Sequence, residues 1–102
     1  MSDDYYRPLP ALVTIKQSGI EGLGLFATRD IDHPLELGMS HYEEPKYPNG
    51  YIRTPLGGFI NHSETPNCQV REHLGNLYLV TLRDIEAGEE LTLRYTLYNP
   101  IT

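Results

Sequence analysis

Short stretches of alternating apolar and polar residues, cut by turns, run the length of this chain. Leu12-Val13-Thr14-Ile15-Lys16 is a brief β-prone run. Leu23, Leu25 and Ala27 alternate with Gly24 and Phe26 and predict a second strand. The clearest strands are Leu77-Tyr78-Leu79-Val80-Thr81-Leu82 and Leu91-Thr92-Leu93-Arg94-Tyr95. The turn Ile85-Glu86-Ala87-Gly88-Glu89 lies between them, so the two are expected to pair as a hairpin. Helical periodicity is hard to find, because eight prolines and nine glycines interrupt the chain at short intervals. The pattern predicts an all-β domain of small sheets with a helical turn or two. The middle, Ser40 to Gly58, is polar, aromatic and turn-rich, with Pro48-Asn49-Gly50 as its turn signal.

The chain also echoes itself. Arg29-Asp30-Ile31-Asp32-His33-Pro34-Leu35-Glu36-Leu37 and Arg83-Asp84-Ile85-Glu86-Ala87-Gly88-Glu89-Glu90-Leu91 agree at five of nine positions. Two copies do not make a solenoid; they predict one strand-turn-strand device used twice.

Length and composition narrow the class. A chain of 102 residues is expected to form one domain over residues 1–102. It holds one modest core, since a domain of this size buries about two-thirds of the surface its unfolded chain exposes. No apolar run is long enough to span a membrane. Met1-Ser2-Asp3-Asp4 lacks the basic and apolar regions of a signal peptide, so a soluble protein inside the cell is expected, cytoplasmic or, in a eukaryotic or viral setting, nuclear. Cys68 is the only cysteine, which excludes an internal disulfide, and the four histidines show no metal-ligand spacing. Net charge is −6, and Lys16 and Lys46 are the only lysines. Direct nucleic-acid binding is therefore not expected, whereas a basic peptide suits an acidic surface. The same charge also serves solubility alone.

Three segments carry candidate chemistry. Gly22-Leu23-Gly24 lets a backbone approach a ligand closely, or merely makes a tight turn. Gly57-Gly58-Phe59-Ile60-Asn61-His62-Ser63-Glu64-Thr65-Pro66-Asn67-Cys68 reads by itself as a polar loop with a capping Asn and a locally held His. Gly88-Glu89-Glu90-Leu91-Thr92-Leu93-Arg94-Tyr95 ends in one of eight tyrosines, and most tyrosines are core residues with a satisfied hydroxyl.

Together, and in this order, the three segments resemble the SET domain, a family that transfers methyl groups from S-adenosylmethionine to protein lysines. The resemblance implies a compact, β-clip-like fold with a knot-like C-terminal segment that brings Tyr95 and Asn61 together. It implies that Gly22, Leu23 and Gly24 line the cofactor pocket near the methionine part, that Asn61 hydrogen-bonds the cofactor, and that the backbone around His62 reaches the adenine. Tyr95 falls where the family keeps its catalytic tyrosine. Tyr51, Tyr98 and Tyr42 are candidate walls of a lysine channel, and Leu93 holds the slot linked to how many methyls are added. Ser63, Pro66 and Asn67 are expected to shape the turn, Phe59 and Ile60 to be core, and Glu89 and Glu90 to be turn and scaffold residues.

The chain also departs from the family pattern. Glu64 stands where many relatives place a zinc-binding Cys, and Gly58 where many have an Arg before the Phe. The short middle segment is a minimal version of a longer insert that helps bind substrate in relatives. The leading expectation is therefore a protein-lysine N-methyltransferase acting on a basic protein, histone or histone-like. The alternative is a non-catalytic SET-like module that binds a peptide or protein. A homodimer whose second copy completes the groove is a third arrangement.

Overall fold

The computed structural model describes residues 9–47 and 50–94. Eight strands and one short helix follow each other: β1 (Val13–Gln17), β2 (Leu23–Ala27), β3 (Glu36–Glu43), β4 (Tyr51–Arg53), α1 (Pro55–Gly58), β5 (Asn61–His62), β6 (Cys68–His73), β7 (Asn76–Thr81) and β8 (Glu90–Leu93). They pair in the order β1-β2-β8-β6-β7-β3-β4, with β5 added beside β8. The expected all-β architecture is present. β1, β2, β7 and β8 fall where apolar alternation places them.

One expected pairing is not made. β7 and β8 form no hairpin; β7 instead lies between β6 and β3, and β8 between β2 and β6. The reason is local. β6 and β7 are joined by the two-residue turn Leu74-Gly75, with φ of 52° and 88°, the doubly left-handed geometry that matches strand twist. That hairpin fills one edge of β7 and β3 fills the other, which leaves none for β8.

The internal echo explains how β7 and β8 are connected instead. Its two copies clasp each other. Ile31 and Ile85 exchange both backbone hydrogen bonds, at 2.7 and 2.9 Å. Asp84 Oδ1 accepts from the His33 backbone N at 2.8 Å, and Asp30 Oδ1 accepts from the Ala87 backbone N at 2.9 Å. Thr81 N donates to Leu35 O, and Ala27 N donates to Glu89 O. Each contact from one copy has a counterpart from the other, so the arrangement is a pseudo-twofold clasp. The strand before each copy pairs with the strand after the other: β2 with β8, and β7 with β3.

The core forms where these strands turn their apolar faces inward. Leu25, Ile31, Leu79, Ile85, Leu91 and Leu93 are each at most 2% exposed. Burying a side chain of this kind contributes about 1.5–3 kcal/mol. Ile60 joins them at 1% exposure, as expected, but Phe59 is 37% exposed and is not core. Phe59 follows α1, a single turn with Pro55 at its start, and the chain leaves that turn with Ile60 facing in. α1 is anchored at Thr54, whose hydroxyl donates to Met39 O at 2.7 Å.

Candidate functional site

The Asn61 side chain organises the site. β5 runs parallel to β8, with Asn61 beside Thr92 and His62 beside Leu93. From there, Asn61 Nδ2 reaches across to the segment before β2. It lies 3.1 Å from Glu21 O, 3.2 Å from Leu23 O, 3.1 Å from Ser18 Oγ and 2.9 Å from Glu90 Oε2. The structure thus brings Gly22, Leu23 and Gly24 against Asn61, the first two predicted segments in direct contact.

The turn holding Gly22 and Leu23 is tied by Ser18. Its backbone N donates to Gly22 O at 2.7 Å. Its hydroxyl accepts from the Ile20 backbone N at 2.8 Å and sits within 2.9 Å of both Glu90 carboxylate oxygens. Gly22 has a φ of 46°, a conformation glycine adopts at little cost. Gly24 is needed for a different reason. A Cβ there would lie 2.2 Å from Glu90 Oε2 and 3.1 Å from Asn61 Nδ2. The two polar side chains occupy the volume that any other residue would fill, so only glycine permits this close approach.

Asn67 braces the site from beneath. It is 2% exposed, accepts from Thr92 N at 2.8 Å through Oδ1, and donates to Glu90 O at 2.9 Å through Nδ2. Its structural part in the turn is as expected. Neighbouring Glu89 pairs with Arg83, and that hydrogen bond holds its carboxyl below the usual range.

His62 points another way. Its Nε2 lies 2.8 Å from Glu64 Oε2, and Arg94 approaches the other Glu64 oxygen at 3.5 Å. Glu64 is held below the ordinary carboxylate range first by the His62 hydrogen bond and then by the Arg94 charge. Glu64 therefore links the Asn-His turn to the end of β8, at the position where many SET domains carry a zinc-binding Cys. Among the described residues no cluster of His, Cys, Asp and Glu is arranged to hold a metal. Burial pushes the Cys68 thiol up to about 12, which leaves it unreactive near neutral pH.

β8 offers different residues on its two faces. Glu90 and Thr92 face the Asn61 cluster, while Leu91 and Leu93 face the core. Leu93 also borders a hollow of about 330 Å³ on that second side, together with Cys68, Val70 and Leu82. Tyr42 and Tyr51 lie on β3 and β4. The register sets Tyr42 opposite Ile52 and Tyr51 opposite Glu43, so alternation puts the two tyrosines on opposite faces of that ribbon. Tyr51 packs edge-on against the buried His41 ring, with centroids 6.0 Å apart. Tyr42 is 40% exposed. Tyr95 and Tyr98 lie outside the described residues.

Ser18 is a site residue that sequence reading missed, and Glu90 was assigned only to scaffold. The echo marks Glu90 as the repeat of Glu36, but the folding of Ser18 onto it, 72 positions away, leaves no mark in the sequence.

A model of the SET domain matches residues 35–96, more than half of the chain. The chain belongs to the SET domain family. Over 41 residues it is 46% identical to the histone-lysine N-methyltransferase SMYD3 of Mus musculus, a stretch covering 40% of this chain and 10% of that protein. The chain thus spans about a tenth of that curated relative's length. Among solved structures it superposes on a Plasmodium falciparum protein described as a candidate histone methyltransferase, with TM-score 0.69 and 20% identity over 87% of this chain and 96% of that one. It also superposes on the methyltransferase domain of human PR domain-containing protein 2, with TM-score 0.67 and 22% identity over 86% and 79% of the two chains. At these identities the superpositions carry the fold. No helix among the described residues is long and apolar enough to cross a membrane.

Proposed function

We propose that this chain is a protein-lysine N-methyltransferase that takes its methyl group from S-adenosylmethionine and acts on a basic protein, histone or histone-like. The observation that carries the reading is the seating of Asn61 against Gly22-Leu23-Gly24, with Gly24 kept bare of a side chain by Asn61 and Glu90. The chemistry of those residues fits the amino-acid part of the cofactor: backbone and side-chain acceptors gather around Asn61 beside two glycines. The cofactor supplies, when bound, a methyl group already activated by a sulfonium.

The protein's task is positioning. Asn61 and the Gly22–Gly24 backbone hold one reactant, and the second must arrive as a neutral amine on the methyl axis. Neutralising a free lysine at pH 7 costs about 4.6 kcal/mol. An apolar, aromatic channel lowers that cost by disfavouring the ammonium. Tyr95 is assigned to orienting the amine, with Tyr98, Leu93 and Tyr51 as channel residues; Tyr42, on the opposite face of the β3–β4 ribbon from Tyr51, does not share that channel. The β5–β8 register supports this assignment, since it sets Leu93 beside His62 two positions before Tyr95.

The test is transfer of a labelled methyl group from S-adenosylmethionine to core histones and to a lysine-rich peptide. Transfer that falls at least a hundredfold in Tyr95→Phe is expected, the scale of a positioned proton-handling group. No transfer, with no effect of that substitution on anything measured, contradicts the reading. Peptide binding without turnover would instead identify a binding module.

A further inference from the structure

We propose that Glu90 is the counter-charge for the ammonium of the cofactor's amino-acid end, with Ser18 and Asn61 as the residues that position it. The proposal rests on the reading of this chain as an S-adenosylmethionine-binding SET domain.

Hydrogen-bond accounting motivates it. Four acceptors surround Asn61 Nδ2: Glu21 O, Leu23 O, Ser18 Oγ and Glu90 Oε2. A side-chain amide has only two hydrogens to give. Ser18 adds one more hydrogen, given to Glu90, and its oxygen already accepts from Ile20 N. Three hydrogens thus face four acceptor oxygens, Glu21 O, Leu23 O and the two of Glu90, and one acceptor is left over. An ammonium brings three donors and a positive charge, and is matched to such a surplus.

Charge accounting points the same way. Glu90 is half-buried, and no Lys, Arg or His among the described residues pairs with it. Two neighbouring acids are held by cations, Glu89 by Arg83 and Glu64 by Arg94, while Glu21 is exposed to solvent. Lys16, on the adjoining strand, is placed over the Phe26 ring at 5.3 Å. The Glu90 carboxylate is held by two neutral donors, Ser18 and Asn61, and a ligand ammonium would add the charge they lack.

The chain contains its own control. Glu36 occupies the position equivalent to Glu90 in the first copy of the clasp, and there the side chain is exposed. The scaffold does not require a wrapped carboxylate at this position. Only in the second copy do Ser18 and Asn61 close over it, and only there does a glycine make room.

The experiment is calorimetric titration with two probes, S-adenosylhomocysteine and its deaminated analogue, which differ only at the α-amine. Neither carries the sulfonium. Wild type is expected to bind the amine-bearing probe at least tenfold tighter, about 1.4 kcal/mol. Glu90→Gln should bring the two probes to near-equal affinity, and Glu90→Asp, which keeps the charge, should restore part of the difference. Equal binding of both probes to wild type, or equal weakening of both in Glu90→Gln, would leave Glu90 a scaffold residue and overturn the proposal. So would a Glu90→Gln loss seen with S-adenosylmethionine but not with S-adenosylhomocysteine, since it would assign Glu90 to the sulfonium. Wild type that binds S-adenosylmethionine and neither probe also overturns it. Wild type that binds none of the three overturns the cofactor reading itself, a different result from any of these. Should Glu90→Gln fail to fold, the wild-type preference between probes and the Glu90→Asp variant still decide.

Discussion

The two copies of the clasp share five of nine residues and have different duties. In both, an Ile enters the core, an Asp caps the other copy's turn, and a Glu begins the following strand. Glu36 then faces solvent, whereas Glu90 is enclosed by Ser18 and Asn61. The repeated segment thus provides the frame, and a loop from elsewhere in the chain folds against only one half of it. What differs is not the device but what is folded against it.

The comparison breaks most visibly at the paired isoleucines. Ile31 and Ile85 are 2% and 1% exposed, so Ile31→Ala and Ile85→Ala should each cost about 2–5 kcal/mol in urea unfolding. Nearly equal losses are expected, and a difference above about 2 kcal/mol would show that the two halves do not share the core evenly.

His41 should make the first half sensitive to acid. Burial, followed by the Arg53 charge, lowers its pKa to about 4 from an ordinary value of 6.5. Above pH 6.5 neither the folded nor the unfolded chain binds this proton, so stability is unaffected. Below it the unfolded chain takes up the proton and the folded one does not, until the pH falls to about 4. Stability is lost across that window, by at most about 1.4 kcal/mol per pH unit. The urea midpoint of wild type should fall over this range, and His41→Gln should flatten that limb.

The paired caps sharpen the comparison at smaller scale. Asp30→Ala and Asp84→Ala each remove one cross-copy hydrogen bond, worth about 1 kcal/mol. Thermal unfolding should show the two as equivalent. The smallest effect belongs to the hairpin outside the clasp. Leu74 is 86% exposed with a φ of 52°, so Leu74→Asn should stabilise by about 0.5–1 kcal/mol.

These same residues show why some of the fold was legible in the sequence. β1, β2, β7 and β8 place branched or apolar residues on one face, and alternation reveals them. β3 hides because Ser40 and His41 are buried polar residues, at 0% and 1% exposure, and they break the apolar signal. β6 hides because past Cys68 it is half-buried or exposed, and its side chains are mainly polar. The missed pairing of β7 and β8 is topological: the clasp joins them through partners far away in the chain. The site divides in the same manner. Gly22-Leu23-Gly24 and Asn61-His62 are visible as motifs. Ser18 and Glu90 are separated by 72 positions, and no local pattern announces a hydrogen bond over that distance.

The central claim, that the second half of the clasp is the cofactor-binding half, is tested most directly by calorimetric titration of S-adenosylmethionine into wild type, Asn61→Ala and Glu36→Gln. The account predicts binding in wild type, a loss of tenfold or more in Asn61→Ala, about 1.4 kcal/mol or greater, and wild-type affinity in Glu36→Gln. No binding to wild type, or equal binding to wild type and Asn61→Ala, would contradict it.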